Sequence, residues 1–189
     1  DLKNSYVMLM NDPTRPYYKT YEIDMDRHAY DGENWTYINL PMDSIKQIAI
    51  RSIKDSVMMY YSCDVGKFLD SKTGLLDENN YDYSLFLGVD FNMTKEQRIR
   101  TFASMSSHAM TLMAVDLDSD GKPVKWKVEN SWGASSGQGG YLVMTDKWFD
   151  DYTFRLVAEK RFVSPETLKL LEQKPTLLPP WDPLFAAEQ

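Results

Sequence analysis

Three short apolar runs, Met110 to Asp116, Val124 to Asn130 and Gly140 to Met144, constrain the fold of this chain more than any other feature. Their length and bounding polar segments fit strands better than helices. Asp118-Ser119-Asp120-Gly121 between the first two is a hairpin turn sequence. Three successive antiparallel strands predict a meander or a partly closed barrel. His108 stands at the start of the first strand and Asn130 at the end of the second, so a hairpin brings them side by side. A neutral amide in that place fixes the tautomer and tilt of an imidazole, an arrangement suited to activating a thiol.

The rest of the chain reads as continuous α+β structure to about residue 163. Asp12-Pro13-Thr14-Arg15-Pro16 is turn-rich, and Tyr17 to Asp24 alternates loosely enough for an edge strand or ordered loop. Ile45, Ile48, Ala49 and Ile53 fall at helical spacing between Pro41 and Lys54, with Asp43 or Ser44 as the expected N-cap. Val57 to Tyr61 reads as a short buried strand. Thr94-Lys95-Glu96-Gln97 is a capping box, and Ile99, Phe102, Ala103 and Ser106 predict a helix running up to His108. Trp148 to Val163 supplies at least one further strand. Ser164 and Pro165 open another helix as N-cap and N1. From Lys174-Pro175 to Pro179-Pro180-Trp181-Asp182-Pro183 the chain favours an extended path, and Trp181, Leu184 and Phe185 carry enough apolar surface to predict docking.

Composition narrows the function classes. A chain of 189 residues, 43% hydrophobic, can bury a core as one domain. A net charge of −7 argues against a nucleic-acid surface, which needs clustered Lys and Arg. No stretch approaches the roughly 20 apolar residues of a membrane helix. One cysteine permits no internal disulfide, and a cytoplasmic location is expected, an exported one remaining open because the chain begins at Asp1. The sequons at Asn34 and Asn92 are short enough to arise by chance.

Among chemical groupings, Trp132 sits two residues after Asn130, where its ring lids an Asn-to-His hydrogen bond. Cys63 is the one nucleophilic thiol in the chain, but it follows a buried strand and precedes Asp64, which raises a thiol pKa. A structural role is expected for it, with an unusual nucleophile as the alternative. Asp116, Asp118, Asp120 and Gly121 imitate the first half of an EF-hand, but position 12 is Lys127 where a bidentate Glu is needed. One Cys and two His without paired spacing do not make a zinc site. No metal or other cofactor is expected. Asp150 and Asp151 fit a solvated turn.

Asn11-Asp12-Pro13, Pro41-Met42-Asp43, Cys63 to Lys67, His108-Ala109-Met110, Lys125 to Gly133, Trp148-Phe149-Asp150 and Pro180 to Pro183 together resemble the bleomycin hydrolase and aminopeptidase C group of papain-like cysteine peptidases. The resemblance is to the C-terminal part of that family. It implies the C-terminal half of a papain-like fold, an antiparallel barrel-like sheet with flanking helices over residues 1–163, then a helix and extended C-terminal arm over 164–189. It implies that His108 is the general base and acid, that Asn130 orients it and that Trp132 shields the pair. The nucleophilic cysteine and the oxyanion-hole glutamine belong to the family's N-terminal half, so the chain is expected to be inactive alone and to require that half as its partner. The resemblance further implies an arm, marked here by Trp181, Asp182 and Gln189, that lies in the cleft and restricts substrates to peptides with a free N-terminus. Hexameric assembly is implied in the same way. The ending from Leu184 departs from the small residues expected there, which puts strict exopeptidase action in question. A non-catalytic binding or assembly module with the same fold is the competing expectation.

Overall fold

The computed structural model describes residues 2–185. One mixed sheet of eleven strands carries the fold: β1 (Tyr6–Met10), β2 (Lys19–Ile23), β3 (Thr36–Asn39), β4 (Met59–Cys63), β5 (Leu69–Asp70), β6 (Leu75–Leu76), β7 (His108–Leu117), β8 (Pro123–Glu129), β9 (Tyr141–Thr145), β10 (Thr153–Glu159) and β11 (Thr176–Leu178). Their order is β11-β2-β3-β1-β10-β4-β7-β8-β9-β6-β5. The expected meander is present as β7-β8-β9, antiparallel throughout. The complete sheet is not antiparallel, because β1 with β3, β2 with β11 and β6 with β9 run parallel. Nor does it close among the described residues, with β11 and β5 as its two ends.

Among the described residues six α-helices accompany the sheet: α1 (Leu2–Ser5), α2 (Met42–Lys54), α3 (Tyr83–Leu87), α4 (Lys95–Arg100), α5 (Asp146–Tyr152) and α6 (Pro165–Leu168). The period-2 burial of Met59 and Tyr61, Met110 and Leu112, Trp126 and Val128, and Leu142 and Met144 gives the sheet one apolar face. Against it lie Ile45, Ile48 and Ala49 of α2, and Trp148 and Phe149 of α5. The Phe149 ring stacks on Trp126 at 4.5 Å between centroids, in the geometry that adds to simple burial. Both buried indoles have acceptors, Trp126 on Asp146 at 2.9 Å and Trp148 on the Lys67 carbonyl at 2.8 Å. A second cluster, with Met10, Tyr21, Tyr37, Phe154, Leu178 and Leu184, forms on alternate residues of β1 and β3.

Several sequence expectations change. The helix expected to reach His108 ends at Arg100, because Phe102 adopts φ 58° and a turn follows. The capping box at Thr94 and Gln97 forms as expected. For α2 the N-cap is Pro41, with no side-chain cap, rather than Asp43 or Ser44. Residues from Trp148 first complete α5 before the strand begins, so Asp150 and Asp151 are helical rather than in a solvated turn. They make ion pairs, Asp150 with Lys46 at 2.6 Å and Asp151 with Arg98 at 2.6 Å. The segment at Tyr17 to Asp24 becomes β2, an inner strand between β3 and β11. Ser164 and Pro165 do cap α6.

No helix among the described residues is long and apolar enough to cross a membrane.

Candidate active site

The ladder register positions the two residues picked out from sequence. Cys63 of β4 lies opposite His108, and Thr111 of β7 lies opposite Glu129, so Asn130 emerges one residue beyond the end of β8. The Asn130 backbone N–H donates to the Gly140 carbonyl at 3.0 Å, closing the base of the loop that follows. Within that loop Gly137 is obligatory, because a Cβ there would sit 2.4 Å from the Tyr141 carbonyl oxygen.

His108 Nε2 lies 2.8 Å from Asn130 Oδ1. The Ser131 backbone N–H donates to the same oxygen, also at 2.8 Å. A backbone N–H needs an acceptor, so this second bond fixes which end of the amide faces the ring. Oδ1 therefore accepts from Nε2–H, and the neutral imidazole keeps its lone pair on Nδ1. Asn130 Nδ2 is buried and has no hydrogen-bond partner among the described residues. The Trp132 ring tilts over His108 with centroids 5.1 Å apart, although nearly half of this residue is exposed.

The turn leading into His108 is tied down by Asp64, which the sequence marks only as a neighbour of Cys63. Asp64 accepts from Ser104 Oγ at 2.7 Å and from Ser107 Oγ at 3.3 Å. Ser107 N–H reaches the Cys63 carbonyl at 3.1 Å, and the Ser62 and Ser106 hydroxyls share a short hydrogen bond. The serine-rich run from Ser104 to Ser107 is the available signal, since such side chains bond locally and favour turns over helix.

Cys63 is fully buried, and burial together with the Asp64 charge pushes its thiol well above the ordinary value despite a hydrogen bond with Tyr61. It has the environment of an inert core thiol.

On the opposite face of the sheet from α2, a recess of roughly 480 Å³ is lined by Tyr60, Ala109, Met110, Thr111, Glu129, Asn130 and Ser131. At the turn between β7 and β8, Asp118 Oδ1 accepts the backbone N–H groups of Asp120 at 2.9 Å and Lys122 at 2.8 Å.

In the arm, β11 adds to β2, Asp182 and Leu184 are buried, and Asp182 shares Arg15 with Asp12. Trp181, expected to dock, is 75% exposed. Gln189 lies outside the described residues. Arg15 and Asp12 read as turn residues only, because a turn sequence does not disclose a partner 167 positions away.

A family model described as the peptidase C1-like family matches residues 1–185. The chain belongs to the peptidase C1-like family. Within it, the chain is 41% identical to aminopeptidase C of Streptococcus thermophilus over 183 residues, covering 96% of this chain and 41% of that protein. It is 44% identical to human bleomycin hydrolase over 186 residues, covering 95% of this chain and 41% of that protein. The crystal structure of PepW from Lactobacillus rhamnosis superposes with a TM-score of 0.93 at 38% identity, covering 97% of this chain and 42% of that one. The chain thus spans about two fifths of the length of these C1-like relatives.

Proposed function

We propose that this chain supplies the imidazole half of a cysteine-type aminopeptidase site, with the thiolate and an oxyanion-hole glutamine contributed by a segment outside the 189 residues. The observation that carries this reading is the His108 and Asn130 pair with its amide locked by Ser131 N–H. His108 Nδ1 takes the proton of the incoming thiol, giving a thiolate and imidazolium pair. The sulfur attacks the peptide carbonyl, and the departing amine collects the proton from Nδ1. Nδ1 then takes a proton from the water that attacks the thioester, and returns it to the sulfur as the acid leaves. Asn130 keeps Nε2–H engaged throughout, so the same ring nitrogen performs both transfers. Trp132 limits water access to that bond. The arm carrying Trp181, Asp182 and Gln189 limits the cleft to peptides with a free N-terminus. Such peptides are the proposed substrates.

The complete polypeptide is the material for the test. It is expected to hydrolyse aminoacyl substrates and to be blocked by thiol-directed epoxides. His108→Ala lowers kcat/KM by about 10²–10⁴-fold, the range for a general acid–base. Full activity in that variant overturns the assignment.

A second reading, a non-catalytic binding module of the same fold, draws support from the burial of the chain's one cysteine. It is separated by the same assay, since a module without chemistry gives no epoxide adduct in the complete polypeptide.

A further inference from the structure

The hydrogen bond to Asn130 leaves His108 one freedom: the ring can still swing about the Nε2 contact if its own Cα shifts. What holds that Cα is the start of β7. His108 pairs with Cys63 as the last rung of the β4 and β7 ladder, and element ends are where a structure opens most easily. Residues 101–107, just before it, belong to neither helix nor strand, so no regular element backs the last rung on that side. The placement of the imidazole therefore depends on how the turn from Ser104 to Ser107 is fastened.

Asp64 fastens it at both ends. One carboxylate oxygen accepts from Ser104 Oγ at 2.7 Å and the other from Ser107 Oγ at 3.3 Å, so a single side chain spans the turn. Asp64 and Ser104 are buried, whereas Lys67, the ion-pair partner of Asp64, stands 3.9 Å away with its side chain 43% exposed. A buried carboxylate so loosely paired is compensated chiefly by the two hydroxyls, and the Ser104 bond has the length of a charge-assisted contact.

The carboxylate is itself rigidly mounted. The Asp64 backbone N–H donates to the Tyr152 carbonyl at 3.0 Å, and the Lys67 N–H donates to the Asp64 carbonyl at 3.2 Å. The Lys67 carbonyl accepts the Trp148 indole N–H, and Trp148 and Tyr152 are buried residues of α5. Cys63, one residue earlier, is laddered to Thr153 of β10 as well as to His108. Asp64 is thus fixed to α5 and β10, and the turn hangs from it. Both of its carboxylate oxygens are engaged inside the protein, so it acts through the turn rather than by touching a substrate.

We infer that Asp64 is a positioning residue for His108: it clamps the Ser104 to Ser107 turn onto α5 and β10, and so applies to the backbone the restraint that Asn130 applies to the ring. This rests on the role given to His108 under Proposed function. Asn130 fixes one ring nitrogen, Asp64 fixes the point where the side chain is attached, and only the two together aim Nδ1. A misplacement of about 1 Å in a reacting group costs roughly 100-fold in rate, so a slack turn is read in turnover rather than in substrate binding.

The test is steady-state kinetics of the complete polypeptide on an aminoacyl substrate, with the fold followed by circular dichroism. Asp64→Ala is expected to lower kcat by about 10- to 100-fold with KM nearly unchanged. Asp64→Asn, which keeps the shape and one acceptor, recovers part of that loss. The deciding readout is the coupling to Asn130, which meets Asp64 and its turn only through His108. Once either change has freed the ring, the other has little left to remove, so the kcat loss in the Asp64→Ala and Asn130→Ala double variant falls well short of the product of the single losses. A carboxylate that only stabilises the fold gives losses that multiply. Ser107→Ala cuts the contact next to His108, and the same cycle run with it decides the matter if Asp64→Ala is poorly folded. Losses that multiply, a change confined to KM, or full kcat in a folded variant overturns the inference. His108→Ala in parallel separates the two levels: activity lost there beside full kcat in Asp64→Ala sinks only the Asp64 role, whereas full activity in His108→Ala sinks the proposed site and the inference with it.

Discussion

Cys63 lies directly across the β4 and β7 ladder from His108, yet its thiol faces the core and is fully buried. Proximity of backbones therefore does not make a nucleophile–base pair here. Burial disfavours the thiolate, and Asp64 next to it adds a like charge. Iodoacetamide is expected to leave Cys63 unmodified in the native protein and to label it once denaturant exposes it, as read by intact-protein mass spectrometry. Rapid native labelling would give Cys63 back its candidacy. Cys63→Ala keeps the peptidase activity of the complete polypeptide and costs about 0.5–3 kcal/mol of stability by opening a small cavity.

Asn130 tests the orienting half of the pair. Its Oδ1 collects both His108 Nε2 and Ser131 N–H, so Asn130→Ala removes the acceptor and frees the ring to rotate. A hydrogen bond with a group that becomes charged is worth about 1.5–3 kcal/mol, or roughly 10- to 100-fold in rate. That loss is expected in kcat, with KM nearly unchanged, in steady-state kinetics of the complete polypeptide. A change confined to KM is the contrary result.

The two halves of this site were unequally legible in the sequence. The β7-β8 hairpin, and with it the meeting of His108 and Asn130, followed from local signals: apolar runs, a turn sequence and residues at strand ends. The support beneath His108 did not, because Asp64 and Ser104 are 40 positions apart and nothing local marks them as partners. The helix expected to run up to His108 failed for a related reason. Apolar spacing through Phe102 and Ala103 imitates a helix, but the serines that follow bond to Asp64 and Ser62 instead of continuing the backbone ladder. Parallel pairings were invisible as well. The strands β1 and β3 are short runs whose partners are set by tertiary packing, not by a turn between them.

Arg15 makes the arm's anchor testable by stability. Its guanidinium bridges Asp12 and Asp182, whose side chains are essentially buried. Arg15→Met leaves two buried carboxylates without their counter-charge, a loss of about 3–5 kcal/mol for breaking such a pair from one side. For a domain of this size each kcal/mol moves Tm by roughly 2–4 °C, so a fall of about 6–20 °C is expected by calorimetry. Asp12→Asn combined with Asp182→Asn in the Arg15→Met background removes the unpaired charges and recovers part of that fall. No recovery would mean that the cost lies in packing rather than charge.

Glu78 gives the protein a defined dependence on pH. Burial, together with the hydrogen bond it shares with Asp151, raises its carboxyl from an ordinary 4.5 to about 7, against the pull of Lys147 at 2.8 Å. Asp151 moves the other way: burial alone would raise it, but hydrogen bonds with Glu78, Lys147 and Arg98 hold it below its ordinary value. In the folded protein Glu78 thus keeps a proton that the unfolded chain has already released. A raised folded pKa contributes stability that is complete below 4.5 and lost as pH climbs to 7. The Asp151 contribution is present above 3.8 and disappears only at lower pH, outside that window. Lys95, lowered to about 7 by burial, acts between 7 and 10.5. Thermal unfolding is therefore compared at pH 5 and pH 7, where Glu78 dominates among these three groups. Tm of the unaltered protein is expected to be lower at pH 7, and Glu78→Gln, which mimics the protonated acid, is expected to flatten the difference. A variant that retains the full difference would assign the pH dependence to other groups and leave the Glu78 and Asp151 pair as a passive surface contact.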